Sequence, residues 1–174
     1  IQRGIDFVQQ AERRRVQAEE REDEGEAPGT SEGRDKMAPM AIEHTTDTLK
    51  SVIKAYDIRG VVGETIDEDF VRTAGAAFAS ILRGEGETRI AVGYDMRPSS
   101  PALAEVFARG AASQGLDVVE LGLTSTDELY FASGSLECAG AMFTASHNPA
   151  KYNGIKLCRA GARPVGQDSG LAQI

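Results

Sequence analysis

Basic charge in excess is the first thing this sequence lacks. Its 174 residues carry 19 Lys and Arg against 27 Asp and Glu, a formal net charge of −8. That balance leaves no electrostatic footprint for the phosphate backbone of nucleic acid, so no nucleic-acid partner is expected. No apolar run approaches the ~20 residues that cross a bilayer, and no charged-then-apolar leader stands near residue 1. No membrane partner is therefore expected. Cysteine is scarce: Cys138 and Cys158 sit in apolar stretches outside any CxxC pair. Buried reduced thiols in a cytoplasmic protein are expected in preference to a disulfide or zinc site. Several catalytic signatures are missing too. There is no Walker loop and no HExxH, and Gly84-Glu-Gly86 precedes a strand where a dinucleotide fingerprint would follow one. Ser51-Val-Ile-Lys54 has the S-x-x-K spacing but neither an S-D-N nor a K-T-G partner. The initiating methionine is absent as well: the sequence begins at Ile1 and reads as a piece of a longer chain.

What is present divides in two. Residues 1–48 hold 7 Lys and Arg against 12 Asp and Glu, and the stretch Gln9–Glu26 is almost wholly polar. With no apolar stripe to bury, residues 1–48 are expected to be a disordered charged tail and linker. Residues 49–174 are expected to fold as one domain. Its pattern alternates strand and helix. Val52–Tyr56 reads as a short strand, and Thr65-Ile-Asp-Glu68 as a capping box. Phe70, Val71, Ala74, Ala77, Phe78, Ile81 and Leu82 then follow at helical spacing, with Gly84 as a left-handed stop. Arg89–Tyr94 is a buried strand, and Ser100 caps a helix that starts with Pro101. Asp117–Leu121 is the next strand, Ser125 and Glu128 cap a short helix, and Cys138–Phe143 is another strand. The alternation predicts an α/β fold, a mainly parallel mixed sheet sandwiched by helices.

Such sheets place their chemistry in loops beyond the C-terminal ends of the strands. Three loops qualify. In Tyr56-Asp-Ile-Arg-Gly60, Arg59 offers a planar fork suited to phosphate oxygens; a surface turn with an incidental arginine is the competing reading. In Gly93–Pro101, serines open a helix where an anion can bind, while Asp95 paired with Arg97 or Arg59 would simply hold loops together. In Thr144-Ala-Ser-His-Asn-Pro149, Ser146 is an exposed hydroxyl able to act as a nucleophile or phosphate carrier. His147 beside it can move protons near neutral pH, and Asn148-Pro149 forces a turn. Asn153-Gly154 is expected to be a hairpin turn that brings Lys156 back towards Ser146.

Taken in order, AYDIRG at 55–60, GYDMRPSSP at 93–101, TASHNP at 144–149 and KYNGIKL at 151–157 resemble the α-D-phosphohexomutase superfamily, in its phosphomannomutase/phosphoglucomutase branch. The resemblance covers residues from about Val52 to Ile174 and implies the first of about four domains. It implies a reversible transfer in which phospho-Ser146 exchanges its phosphate with a hexose 1- or 6-phosphate through a bisphosphorylated sugar. By the same resemblance, Lys156 is the general acid/base, Arg59 stabilises the charge in flight, and His147 neighbours the phosphoserine. Tyr56 and Asn148 would contact substrate or phosphate, and Mg²⁺ would bind an oxygen of phospho-Ser146. Glucose 1,6-bisphosphate, or its mannose equivalent, is the implied activator. The remaining mutase domains of the parent chain and a hexose phosphate are the implied partners. The family's metal-binding aspartates do not appear, and Ser125-Thr126-Asp127 stands where its proline-threonine-proline segment is usual. The 174 residues alone are therefore expected to be inactive. A non-catalytic binding module on the same fold and a phosphatase with a transient phosphoserine stay open as other readings.

Overall fold

The computed structural model describes Ile42 and residues 44–174. The expected tail lies almost entirely outside the described residues. Its last residues do not: the first helix, α1, runs Thr46–Val52, so the expected 48/49 boundary falls inside it. Thr45 caps α1, its hydroxyl accepting from Thr48 N at 3.2 Å. The expected strand at Val52–Tyr56 is instead the end of this helix and a bend. Leu49, Val52 and Ile53 have helical, i, i+3, i+4 spacing, and Val52 is buried in the core. The first strand, β1, begins later, at Ile58–Val61.

The long helix α2, Glu68–Gly84, is capped by Asp67, whose carboxylate accepts from Phe70 N at 2.8 Å. Thr65 is not the cap because its hydroxyl is already used, accepting from Val61 N at 2.8 Å. The left-handed stop falls at Gly86, φ +88, two residues past the expected Gly84. Strand β2 is Arg89–Tyr94, and helix α3 is Ser100–Ser113. Here Ser100 is the first helical residue and no cap, because its hydroxyl donates to Asp95 Oδ1 at 2.6 Å. Strand β3, Asp117–Leu123, leads to helix α4, Thr126–Leu136, which carries the expected capping box of Ser125 and Glu128. Strands β4 (Ala139–Phe143), β5 (Tyr152–Arg159) and the short β6 (Arg163–Pro164) complete the sheet.

The sheet is mixed, in the order β1-β5-β4-β2-β3, with β6 on β5. Strand β2 is parallel to both β3 and β4, and these three are the βαβ units expected from the alternation. Strand β5 runs antiparallel to β4, β1 and β6. Asn153-Gly154 is not a turn. It lies within β5, and the chain reverses earlier, over residues 145–151. Asn153 is fully buried, and its amide donates to Ser99 and Ser100 Oγ at 2.8 and 2.9 Å. A Cβ on Gly154 would sit 2.3 Å from Ile58 O, so glycine is there for a close backbone approach.

Helices cover both faces. Helices α2 and α3 pack on one, around Phe78, Leu82, Phe107, Phe143 and Ile155. Phe107 meets Phe143 edge-on at 5.5 Å, a favoured aromatic geometry. Gly75 and Gly110 let the two helix backbones touch, since added Cβ atoms would lie 2.4 Å from Phe107 O and 2.2 Å from Arg72 O. Helix α4 covers the other face over Ala91, Val119, Leu121 and Met142. Among the described residues no helix is long and apolar enough to cross a membrane.

Candidate functional site

Strand β4 is buried along its whole length, so the residues that leave its C-terminal end are fixed by the core behind them. Thr144 and Ala145 are still buried, and Ser146 is the first exposed residue. Ser146 has φ +53, the left-handed region that a non-glycine residue seldom occupies. Its N–H donates to Thr144 Oγ1 at 3.0 Å. The hydroxyl lies 3.5 Å from His147 Nδ1, at the outer limit of a hydrogen bond. Asn148 turns inward, with both its backbone N and its side-chain amide donating to Ala145 O, at 3.0 and 2.9 Å.

Arg97 fastens this loop. Its Nη1 donates to Pro149 O and Tyr152 O at 2.9 and 3.0 Å, and its Nη2 to Ser146 O and Asn148 O at 2.7 and 2.8 Å. Its Nε donates to Asp95 Oδ2 at 3.2 Å. Of the two partners the sequence offered for Asp95, the structure shows Arg97. The hydroxyls of Ser99 and Ser100, candidates for an anion site, instead accept from Asn153.

Arg59 lies inside β1, not in a loop after a strand. Its Nη2 donates to Asp57 Oδ2 at 2.5 Å, and Lys156 Nζ from β5 donates to the same oxygen at 3.3 Å. Asp57 is 5% exposed, while the side chains of Arg59 and Lys156 remain about 30% exposed. One nearly buried carboxylate therefore holds two partly exposed cations and leaves a net positive charge. Arg59 Nε is buried without a hydrogen-bond partner. Tyr56, next to Asp57, is 74% exposed.

Strand register relates the two groups. Arg59 pairs with Gly154, and Gly154 O accepts from Thr144 N at 3.0 Å. With strands about 4.8 Å apart, Arg59 and Thr144 stand roughly 10 Å apart across one row, and Ser146 follows two residues beyond. Lys156 pairs with Met142, so it lies back along β4 from Ser146. Side chains at i and i+2 share a face, which puts Arg59, Gly154 and Lys156 on the α4 side of the sheet. Sequence reasoning passed over Asp57, and it assigned Arg97 no contact with the Ser146 loop. The signal for Asp57 was its place two residues before Arg59, the strand spacing for one face. Nothing in the sequence announces that four carbonyls converge on Arg97.

Among the described residues no group of three or more His, Cys, Asp and Glu side chains is gathered as a metal site requires. The loop offers two hydroxyls, the His147 imidazole, the Asn148 side-chain oxygen and backbone but no carboxylate, a donor set that does not hold Mg²⁺ by itself.

This arrangement has relatives. Residues 50–173 match the family described as phosphoglucomutase/phosphomannomutase, alpha/beta/alpha domain I. The chain is 45% identical over 122 residues to a protein named phosphohexose mutases from Xanthomonas campestris pv. campestris, covering 70% of this chain and 27% of that protein. It is 43% identical over 128 residues to a phosphomannomutase from Klebsiella pneumoniae, covering 73% and 80%. Among solved structures, a phosphoglucomutase/phosphomannomutase family protein from Burkholderia thailandensis aligns with a TM-score of 0.65 at 38% identity, covering 71% of this chain and 29% of that one. The chain belongs to the phosphoglucomutase/phosphomannomutase family, and what it contains is the α/β/α domain I. It spans about a quarter of the length of the Xanthomonas relative.

Proposed function

We propose that this chain is the phosphoserine-bearing domain of a hexose-phosphate mutase. One observation carries the reading: Ser146 is held exposed, on a left-handed backbone, just past a fully buried strand. The cations Lys156, on the adjoining strand β5, and Arg59, on β1 beyond it, support it. Phosphoryl transfer is governed by positioning and by stabilising negative charge, and a fixed hydroxyl near spare positive charge supplies both. In this reading phospho-Ser146 gives its phosphoryl group to a free hydroxyl of a hexose 1- or 6-phosphate. The P–Oγ bond breaks as the P–O bond to the sugar forms. The bisphosphorylated sugar then returns its other phosphate to Ser146.

Lys156 is the candidate group that moves the proton of the reacting hydroxyl, and Asp57 sets where its ammonium waits. In this reading Arg59 stabilises the charge in flight, His147 stands beside the phosphate, exposed Tyr56 meets substrate, and Asn148, its amide held on Ala145 O, shapes the loop that carries the phosphate. Magnesium is part of the reading through one donor, an oxygen of phospho-Ser146, with its other ligands outside the described residues. The substrate class is hexose phosphate, mannose or glucose, and glucose 1,6-bisphosphate is the activator that charges the serine. The remaining mutase domains complete the site, in a cytoplasmic protein whose cysteines are free and buried.

Intact-protein mass spectrometry of the full-length protein, with and without glucose 1,6-bisphosphate, tests this. The expected result is one phosphate on Ser146, lost in Ser146→Ala together with turnover. No phosphate on Ser146 in either sample would overturn it and leave a binding module on the same fold. The 174 residues alone are expected to show negligible conversion of mannose 1-phosphate.

A further inference from the structure

We infer that Arg97 is a positioning residue for phosphoryl transfer, acting by holding the Ser146 loop in the backbone shape that presents the hydroxyl. The inference rests on Ser146 being the phosphate carrier. The hydrogen bonds of the Arg97 side chain go to Asp95 and to backbone oxygens, none to the Ser146 hydroxyl. Arg97 binds the carbonyl oxygens of Ser146, Asn148, Pro149 and Tyr152, all with its two terminal nitrogens. With the bond from Nε to Asp95, all five N–H donors of the guanidinium are used. The side chain is only 10% exposed.

Two physical points give this arrangement a role in catalysis. Four carbonyl oxygens turned towards one point repel each other unless a cation sits among them. A serine with φ +53 keeps that conformation only where its surroundings impose it. Arg97 does both jobs, and it is itself held from behind. Asp95 Oδ1 accepts from Arg97 N at 3.0 Å and from Ser100 Oγ at 2.6 Å. Ser100 Oγ accepts in turn from Asn153 Nδ2 at 2.9 Å. The Ser146 backbone is thus tied through Arg97, and from there by side chains, to the first turn of α3 and to buried Asn153 on β5. Lysine cannot substitute, because an ammonium has three donors on a point charge and no planar fork.

The test uses the full-length protein with Arg97→Lys and Arg97→Ala, following phosphate on Ser146, kcat and KM for hexose-phosphate interconversion, and thermal unfolding. A displaced reacting group loses about 100-fold in rate. The expected result is that fall in kcat for both variants, with KM changed only a few-fold. Guanidinium added at sub-denaturing concentration is expected to restore part of the rate to Arg97→Ala and none to Arg97→Lys, whose ammonium fills the space. A merely structural role lowers the unfolding curve and lowers activity only in proportion to the unfolded fraction. Wild-type kcat in Arg97→Lys overturns the inference. So does a rise in KM at constant kcat, or an activity loss that matches the unfolded fraction. Should Arg97→Ala fail to fold, Arg97→Lys keeps the charge and the stem and carries the decision. A wild-type protein that turns over with no phosphate on Ser146 removes the carrier reading itself, before any variant is compared. A phosphorylated wild type with an unimpaired Arg97→Lys removes this inference alone.

Discussion

The two halves of the sheet are built by different means. Strands β3, β2 and β4 are parallel and joined by helices: one βαβ unit pairs β3 with β2, and a second crossover returns the chain so that β4 lies on the other side of β2. Strands β1, β5 and β6 pair antiparallel, and β1 meets β5 only after most of the domain has intervened, as with Arg59 opposite Gly154. The candidate chemistry follows the same division. Ser146 leaves the parallel half at the end of β4, while Arg59, Asp57 and Lys156 belong to the antiparallel half. The hydroxyl is thereby fixed at the end of β4, Lys156 by the β4–β5 pairing that follows directly, and Arg59 by the distant pairing of β1 with β5, with β4 as the seam.

The largest expected effect comes from cutting that seam. Phe143 is fully buried on β4 and packs edge-on against Phe107 of α3. Phe143→Ala is expected to cost about 3–5 kcal/mol, measured by urea unfolding of the 174-residue chain. If the halves form one cooperative unit, amide exchange will accelerate equally at Val92 in β2 and at Ile155 in β5. Faster exchange in one half alone would break the comparison into two separately stable pieces.

The difference between the halves also explains what could be read in advance. The parallel half was legible: the helical spacing of Phe70 to Leu82, the apolar strand at 89–94 and the Ser125–Glu128 capping box all report on neighbours within a few residues. The antiparallel half was not. Asn153-Gly154 carries the strongest local signal for a hairpin turn, yet tertiary contacts override it. Ser99 and Ser100 capture the Asn153 amide, and Ile58 O occupies the space where a side chain on residue 154 would go. The region 52–60 failed similarly, because an i, i+3, i+4 triplet closing a helix looks like a short apolar strand. Of the candidate site, Ser146 stood out by residue type and place, and Arg59 by residue type alone, since the loop expected around it is strand β1. The Arg97 contacts did not, since backbone carbonyls carry no side-chain signature.

Gly154→Ala sharpens the point at smaller scale. The new Cβ would lie 2.3 Å from Ile58 O and 3.0 Å from Thr144 O, both backbone atoms that cannot swing away. A cost of roughly 1–3 kcal/mol is expected, read from the urea midpoint. Exchange should quicken in β1 and β5, with β2 and β3 keeping their protection. Uniform loosening across the sheet would show that the antiparallel half has no separate weakness.

The smallest effect separates the halves by pH. Glu85, at the end of α2, accepts from Arg159 of β5 through both oxygens, at 2.7 and 2.8 Å, and this hydrogen bonding holds its carboxyl below the ordinary value of 4.5. Glu128, in the α4 capping box, is lowered by the Ser125 backbone N–H at 2.8 Å and then by the Thr124 hydroxyl, also at 2.8 Å. In each case the folded state favours the carboxylate, so near pH 4.5 the unfolded chain binds more protons than the native one. Stability then rises with pH in that window: both contributions are present above 4.5 and are lost as pH falls through the depressed folded values. Both groups face solvent, so each is expected to contribute within the roughly 0.2–1 kcal/mol of an exposed pair. Glu85→Gln and Glu128→Gln should each flatten part of the acid-side fall in the thermal midpoint while leaving the curve at neutral pH nearly parallel to wild type. Glu85→Gln should also quicken exchange at the β5 end, and Glu128→Gln at the first turn of α4. Identical exchange patterns in the two variants would mean that acid acts on the sheet as a whole, and the division at β4 would then hold for topology but not for stability.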